Sequence, residues 1–187
     1  LINPSKLKNL VYENPIQKNA GLDVYEVPIK DHNYLITVDV ARGLGNDYSA
    51  FIVFDITNFP YKAVAKYRNN EIKPMLFPSI IADVGKAYNK AFILCEVNDI
   101  GDQVASILNY DLEYDNLLMC SQRGRAGQVV GAGFSGKRSQ LGVRTTQAVK
   151  KLGCSNLKTL LEDDKILIID YDTVSYTHLR AHETYPH

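Results

Sequence analysis

The 187-residue chain has no tryptophan and little cysteine, histidine or methionine: three, four and two residues respectively. Cys95, Cys120 and Cys154 are an odd number without metal-ligand spacing. That excludes a disulfide scaffold or a cysteine-bound zinc module and fits reduced, cytosolic core thiols. No apolar run approaches the ~18–20 residues that span a bilayer, and no signal peptide is visible. Acidic residues are missing altogether from Asn116 to Leu161, where eight of the chain's 21 basic residues lie. The other 13 face all 21 acids, so a formal net charge of zero conceals a +8 segment and a −8 remainder. Such asymmetry points to a polyanionic partner, nucleic acid above all, with a solvated loop as the plain alternative.

What is present is ordinary for a globular domain: 45% hydrophobic and 22% charged residues, enough for one domain with a real core. The chain is organised around Tyr34–Asp55, YLITVDVARGLGNDYSAFIVFD. Two runs of β-branched and aromatic residues flank the glycine-rich turn 42–47, the pattern of a β-hairpin. Asp39 sits inside the first run. A carboxylate there is costly unless something pairs with it, and a metal ion is one such partner.

The flanking residues fill in the rest. Residues 1–21 are polar and broken by Asn-Pro steps, as in an arm or interdomain linker. Leu22–Ile29 reads as an edge strand because of Pro28. Tyr61–Asn69 is a third strand. Between Pro78 and Lys90, Ile80, Ile81, Val84, Ala87 and Tyr88 take helical spacing. Ala91–Val97 is a short continuous apolar strand holding Glu96. A second helix follows Asp99, through Val104, Ala105, Ile107 and Leu108. Asn116–Cys120 is another strand. Ser121–Leu141 reads as one long glycine- and arginine-rich loop. Arg144–Lys151 and Ser155–Asp164 read as helices, with Ser155 as the N-cap of the second, and Ile166–Ile169 as a last strand. Three meandering strands followed by βα crossovers predict an α/β fold, a mixed sheet with helices on its faces.

In that topology the strand carrying Glu96 lies beside the one carrying Asp39. Two carboxylates at neighbouring strand ends suit a hard divalent cation, and a pair of such ions can activate water against a phosphodiester. Two surface acids at strand ends are the plain alternative.

Three segments then make a family resemblance specific. ITVDVARGLGNDYSAFIVFD, FILCEVNDIGDQVASIL and KKLGCSNLKTLLEDDKILII, in this order from Tyr34 to Ile169, resemble the nuclease domain of large terminase subunits from contractile-tailed bacteriophages. The resemblance implies an RNase H-like (retroviral integrase superfamily) fold and a Mg²⁺- or Mn²⁺-dependent endonuclease, with two ions, that cuts concatemeric viral DNA during head filling. It implies that Asp39 and Glu96 are catalytic metal ligands, Glu96 being followed by the turn Asn98-x-x-Gly101. Asp47 matches an acidic position of the first motif, which implies a ligand of a second metal or a brace for the loop; a turn Asp bonding its own backbone is the alternative. The basic residues Arg123, Arg125, Lys137, Arg138 and Arg144 are expected along a DNA groove, bound to phosphates without sequence readout. Double-stranded viral DNA, a portal protein and a small terminase subunit are the implied partners, and the host cytoplasm the implied location. An ATPase domain would precede residues 1–21, and residues 22–173 would be the nuclease domain.

Two features are set aside. Gly131 to Arg138 nearly matches a P-loop, but Arg138 stands where a hydroxyl residue should bind Mg²⁺. As a dinucleotide fingerprint it has too short a preceding strand and no acid ~20 residues on. The tail 174–187 includes VSYTHLRAHET, which resembles a translated sequencing adapter. His178 and His182 stand there at i, i+4, and the segment is excluded from fold reasoning. The family's third metal-binding Asp would lie beyond it; Asp170 and Asp172 stand at the wrong place in the pattern. The chain as given is therefore expected to be a weak or inactive nuclease. A Holliday-junction resolvase or a non-catalytic DNA-binding, motor-docking module of the same fold are the competing readings.

Overall fold

The computed structural model describes residues 2–122, 127–132 and 139–170. The expected hairpin forms from β3 (Tyr34–Asp39) and β4 (Ser49–Asp55), and β5 (Tyr61–Asn69) returns antiparallel beside β4. Helix α2 (Phe77–Ala87) crosses over to β6 (Phe92–Cys95), which pairs parallel with β3. On the far side, β2 (Leu22–Val24) pairs with β5, and β1 (Gln17–Asn19) pairs with β2 at the edge. The order is β1-β2-β5-β4-β3-β6.

Alternation explains which face is buried. Tyr34, Ile36 and Val38 of β3 are buried, as are Phe51 and Val53 of β4 and Ile93 and Cys95 of β6. Helix α2 lays Phe77, Ile81, Ala82 and Val84 on this face, followed by α3 (Gly101–Ser106) with Val104 and Ala105. Phe51, Tyr67 and Phe77 stack together, with ring centroids 5.1 to 6.0 Å apart. Each such fully buried side chain contributes about 1.5–3 kcal/mol. The residues between them, Thr37, Asp39, Ala50 and Ile52, point to the opposite face, which stays half-open.

The chain from 107 to 111 widens into a π-type turn before β7 (Leu118–Ser121). Here the structure corrects the reading of Ser121–Leu141 as one loop. Strands β8 (Val129–Ala132) and β9 (Ser139–Leu141) pair antiparallel with the two edges of β7. They carry no core-forming alternation: β8 is largely exposed and β9 is uniformly half-buried, with Leu141 against the core, so backbone pairing defines them. A second correction concerns the two late helices, which are one: α4 (Gln147–Glu162). Thr146 is its N-cap, accepting a hydrogen bond from the Val149 N–H at 3.3 Å, and Ser155 lies mid-helix. Gly153 weakens the helix without breaking it.

Strand β10 (Ile166–Leu167) joins β5 in parallel, alongside the part of β5 that β2 leaves open. The polar segment at the start is tied to this region. Its helix α1 (Pro4–Lys8) presents Lys6 to Asp164 at 2.5 Å, and the Glu13 N–H donates to the Ile169 carbonyl at 3.0 Å. Asp170 is buried, accepting from the Tyr25 hydroxyl at 3.1 Å and pairing with Lys66. It is thus a structural anion. Cys95 and Cys120 are buried, whereas Cys154 is exposed on α4, a correction to three core thiols. Among the described residues no helix is long and apolar enough to cross a membrane. Residues 174–187, Asp172 and the Gly133–Arg138 portion of the phosphate-like motif lie outside the described residues.

Candidate metal centre

Asp39 is the last residue of β3, and Glu96 follows the last residue of β6. Val38 and Cys95 are register partners, and the Glu96 N–H donates to the Val38 carbonyl at 2.9 Å. One residue further along both strands come Asp39 and Glu96. Val38 and Cys95 face the core, so the two acids face the open side together. Each carboxyl lies within reach of the other's charge.

The electrostatics show the strain of this placement. Asp39 is held above the ordinary carboxylate range, first by partial burial, then by the charge and hydrogen bond of Glu96, with Asp47 adding to the effect. The Val40 backbone opposes it. Two like charges in contact are costly, and a cation between them would remove that cost.

Each acid is held by its own turn. After Asp39 the chain makes the glycine-rich turn with φ of +67° at Gly43 and +84° at Gly45. A Cβ on Gly43 would lie 2.3 Å from the Ile72 carbonyl oxygen, so the close approach demands glycine. Asn70 pins the turn through its side-chain N–H to the Gly45 carbonyl at 2.8 Å. The buried Ser49 hydroxyl closes its base, accepting from the Ala41 N–H at 3.0 Å. After Glu96, Asn98 donates to the Glu96 Oε1 at 2.9 Å and to the Thr145 carbonyl at 3.1 Å. Sequence reading marked the Asn98 turn but not this support. The two turns are clamped by Arg42, whose guanidinium makes a two-pronged contact with Asp99 at 2.8 and 2.9 Å. An arginine three residues after one acid and an aspartate three after the other were the available signal.

Two depressions flank Asp39. A cleft of about 450 Å³ is lined by Asp39, Arg42, Asp47, Tyr48 and Asp99. A shallower one, about 280 Å³, includes Asp39, Glu96, Leu94 and Val143. Asp47 therefore shares with Asp39 a cleft that Glu96 does not line. Among the described residues no three acidic, histidine or cysteine side chains gather tightly enough to enclose a cation. The donor set is a carboxylate pair, which suits an ion such as Mg²⁺ that keeps most of its waters. Arg144 is exposed and follows Val143, which bridges to Glu96, so this basic residue borders the acid pair. Arg123, Arg125, Lys137 and Arg138 lie outside the described residues.

This architecture has known counterparts. The chain is similar to the large terminase nuclease of the thermophilic phage G20c solved with bound magnesium: TM-score 0.67 and 19% identity, covering 95% of this chain and 80% of that one. The nuclease domain of the Thermus phage P74-26 large terminase gives 0.63 and 21%, over 94% and 76%. A manganese-soaked human cytomegalovirus terminase nuclease domain gives 0.51 and 10%, over 99% and 88%. At these identities the likeness establishes the fold, which is RNase H-like, as expected. Residues 36–182 match the family described as the terminase RNaseH-like domain. The chain therefore belongs to the terminase RNase H-like domain family.

Proposed function

We propose that the chain is the endonuclease domain of a phage DNA-packaging motor and that it hydrolyses phosphodiesters of double-stranded viral DNA with divalent metal. The observation that carries this reading is the placement of Asp39 and Glu96 side by side on the open face of an RNase H-like sheet. The structures of relatives with bound magnesium or soaked manganese add support. Asp39 and Glu96 are the catalytic ligands; Asp47, across the cleft, contributes to a second ion. Asp39 and Glu96, with Asp47, would hold Mg²⁺ or Mn²⁺, which would supply an activated water and charge neutralisation at the leaving oxygen. Asn98 orients Glu96, and the Arg42–Asp99 clamp fixes the two turns relative to each other. Arg144 at the described border, with Arg123, Arg125, Lys137 and Arg138, neutralises DNA phosphates in a salt-sensitive, sequence-independent manner. The partners are those of packaging, a portal and a small terminase subunit, in the host cytoplasm.

The test is conversion of supercoiled plasmid to nicked and linear forms with Mn²⁺ or Mg²⁺. Metal-dependent cutting that disappears in Asp39→Asn and Glu96→Gln is expected. Cutting that persists with a chelator or in either variant would refute the assignment. Plasmid binding with neither cutting nor Mn²⁺ binding would favour the docking-module reading, whereas Mn²⁺ binding with little cutting is what a weak nuclease would give.

A further inference from the structure

Arg42 stands on an anchored stretch of backbone between the two acid-bearing turns. On one side the Ser49 hydroxyl bonds both the N–H and the carbonyl of Ala41, at 3.0 and 3.2 Å. On the other, Gly43 is packed against the Ile72 carbonyl with φ of +67°. The side chain is anchored as well: Nε and Nη2 donate to the two carboxylate oxygens of Asp99, at 2.9 and 2.8 Å. A guanidinium has five N–H groups, so three remain, two on Nη1 and one on Nη2. Arg42 makes no other hydrogen bond or ion pair among the described residues. The two side chains are 66% and 63% exposed, and an ion pair so exposed contributes little to stability. A brace is thus a small part of what this arginine can do. Among the described residues lining the cleft with Asp39, Asp47 and Asp99, Arg42 is the sole basic one. A cleft with three acids repels a polyanion unless cations offset them.

We propose that Arg42 is a DNA-phosphate subsite of the metal cleft: Asp99 holds one edge of the guanidinium, and the remaining edge donates to a non-bridging phosphate oxygen of the bound strand. This rests on the nuclease reading above. Arginine suits the task because its planar fork serves a carboxylate on one edge and a phosphate on the next, whereas a lysine ammonium is a point charge. Asp99 has already restricted a long, flexible side chain, so less freedom is lost when the phosphate binds. Arg42 and Asp39 line the same cleft, so the phosphate held by Arg42 belongs to the backbone presented to the metal-binding acids.

The experiment measures binding of a fluorescein-labelled DNA duplex to the full chain by anisotropy. Monovalent salt is varied while Ca²⁺, which takes the same oxygen ligands, is held constant in place of the catalytic ion. Arg42→Ala should weaken binding several-fold and lower the slope of log K against log salt by up to about 0.9, the signature of one lost phosphate contact. Asp99→Ala breaks the same ion pair but keeps the cation, so it should keep the slope. Arg42→Lys should also keep the slope while binding less tightly. If Arg42→Ala fails to fold, Arg42→Gln, which retains an apolar stem, gives the same readout. Equal changes of affinity and slope in Arg42→Ala and Asp99→Ala would make Arg42 a brace only and overturn the proposal. Unchanged affinity and slope in the Arg42 variants, or no duplex binding by the unmodified chain, would overturn it too. Its failure is separable from that of the nuclease reading, because Asp39→Asn tests Mn²⁺ binding and cutting. Loss of both in Asp39→Asn, with unchanged DNA binding in Arg42→Ala, would remove only the subsite.

Discussion

The same substitution, glycine to alanine, should have opposite effects at two helical positions. Gly101 opens α3, where the chain has curled back on itself after Glu96, its N–H donating to the Asn98 carbonyl at 3.1 Å. A Cβ there would lie 2.0 Å from the Glu96 carbonyl oxygen and 3.0 Å from its carbon. Comfortable contact begins near ~3.5 Å, so the two segments must separate by on the order of 1 Å. No side-chain rotation relieves the clash, since the obstacle is backbone tied to Val38. Overpacking of this kind costs about 1–3 kcal/mol, or roughly 2 to 12 °C in melting temperature for a chain of this size. Displacement of Glu96 by ~1 Å should also reduce cutting on the order of 100-fold. Gly153 lies within α4, and a Cβ there meets nothing within 4 Å. Gly153→Ala should therefore stabilise by about 0.5–1 kcal/mol through backbone entropy and leave metal binding alone. Thermal melts and Mn²⁺ titration of both variants decide the matter. If Gly101→Ala melted no lower than Gly153→Ala and bound Mn²⁺ normally, the tight turn would not be what sets Glu96.

Three other outcomes follow from the packing and charge. Asp39→Asn should raise the melting temperature of the metal-free chain at neutral pH, because the raised Asp39 pKa means that ionisation disfavours the folded state. The carboxylate's penalty grows as pH rises from the ordinary value of about 4 to the raised folded value, so the gain should vanish below that window; a gain that persists at low pH would contradict it. Asp170→Ala removes a buried partner of Lys66, which also has Asp23 at 3.8 Å. A loss of about 3 kcal/mol in denaturant titration is expected, and a neutral result would show that the pair is dispensable. A thiol reagent should label Cys154 rapidly in the native chain and Cys95 only on unfolding, since burial pushes the Cys95 thiol up to about 12. Fast labelling of Cys95 would mean that the β3–β6 core opens readily.

The parts of the fold that were legible in sequence are those where burial imposes a period. Strands β3, β4 and β6 are apolar runs and helix α2 repeats at helical spacing because they meet the core, and Asp39 and Glu96 stood out as the polar ends of apolar runs. Strands β8 and β9 escaped because they are short and do not alternate, β8 being largely exposed and β9 half-buried, within a stretch rich in glycine and basic residues. The single helix α4 was divided at Gly153 and Ser155, where local preference pointed to a break; the Thr146 cap and continuous backbone hydrogen bonding override it. The pairing of Arg68 with Ala50 was not legible because it depends on the register of three strands. Counting from the hairpin would have put Ala50 opposite Asp39, but the return of β5 includes an irregularity between Val53 and Phe54 that shifts its register.

The most direct test of the account is Mn²⁺ binding to the purified chain, followed by electron paramagnetic resonance of the free ion. The account predicts a saturable site that is lost in both Asp39→Asn and Glu96→Gln while each variant keeps its thermal unfolding transition. Mn²⁺ binding equal to that of the unmodified chain in either variant would contradict a shared metal centre.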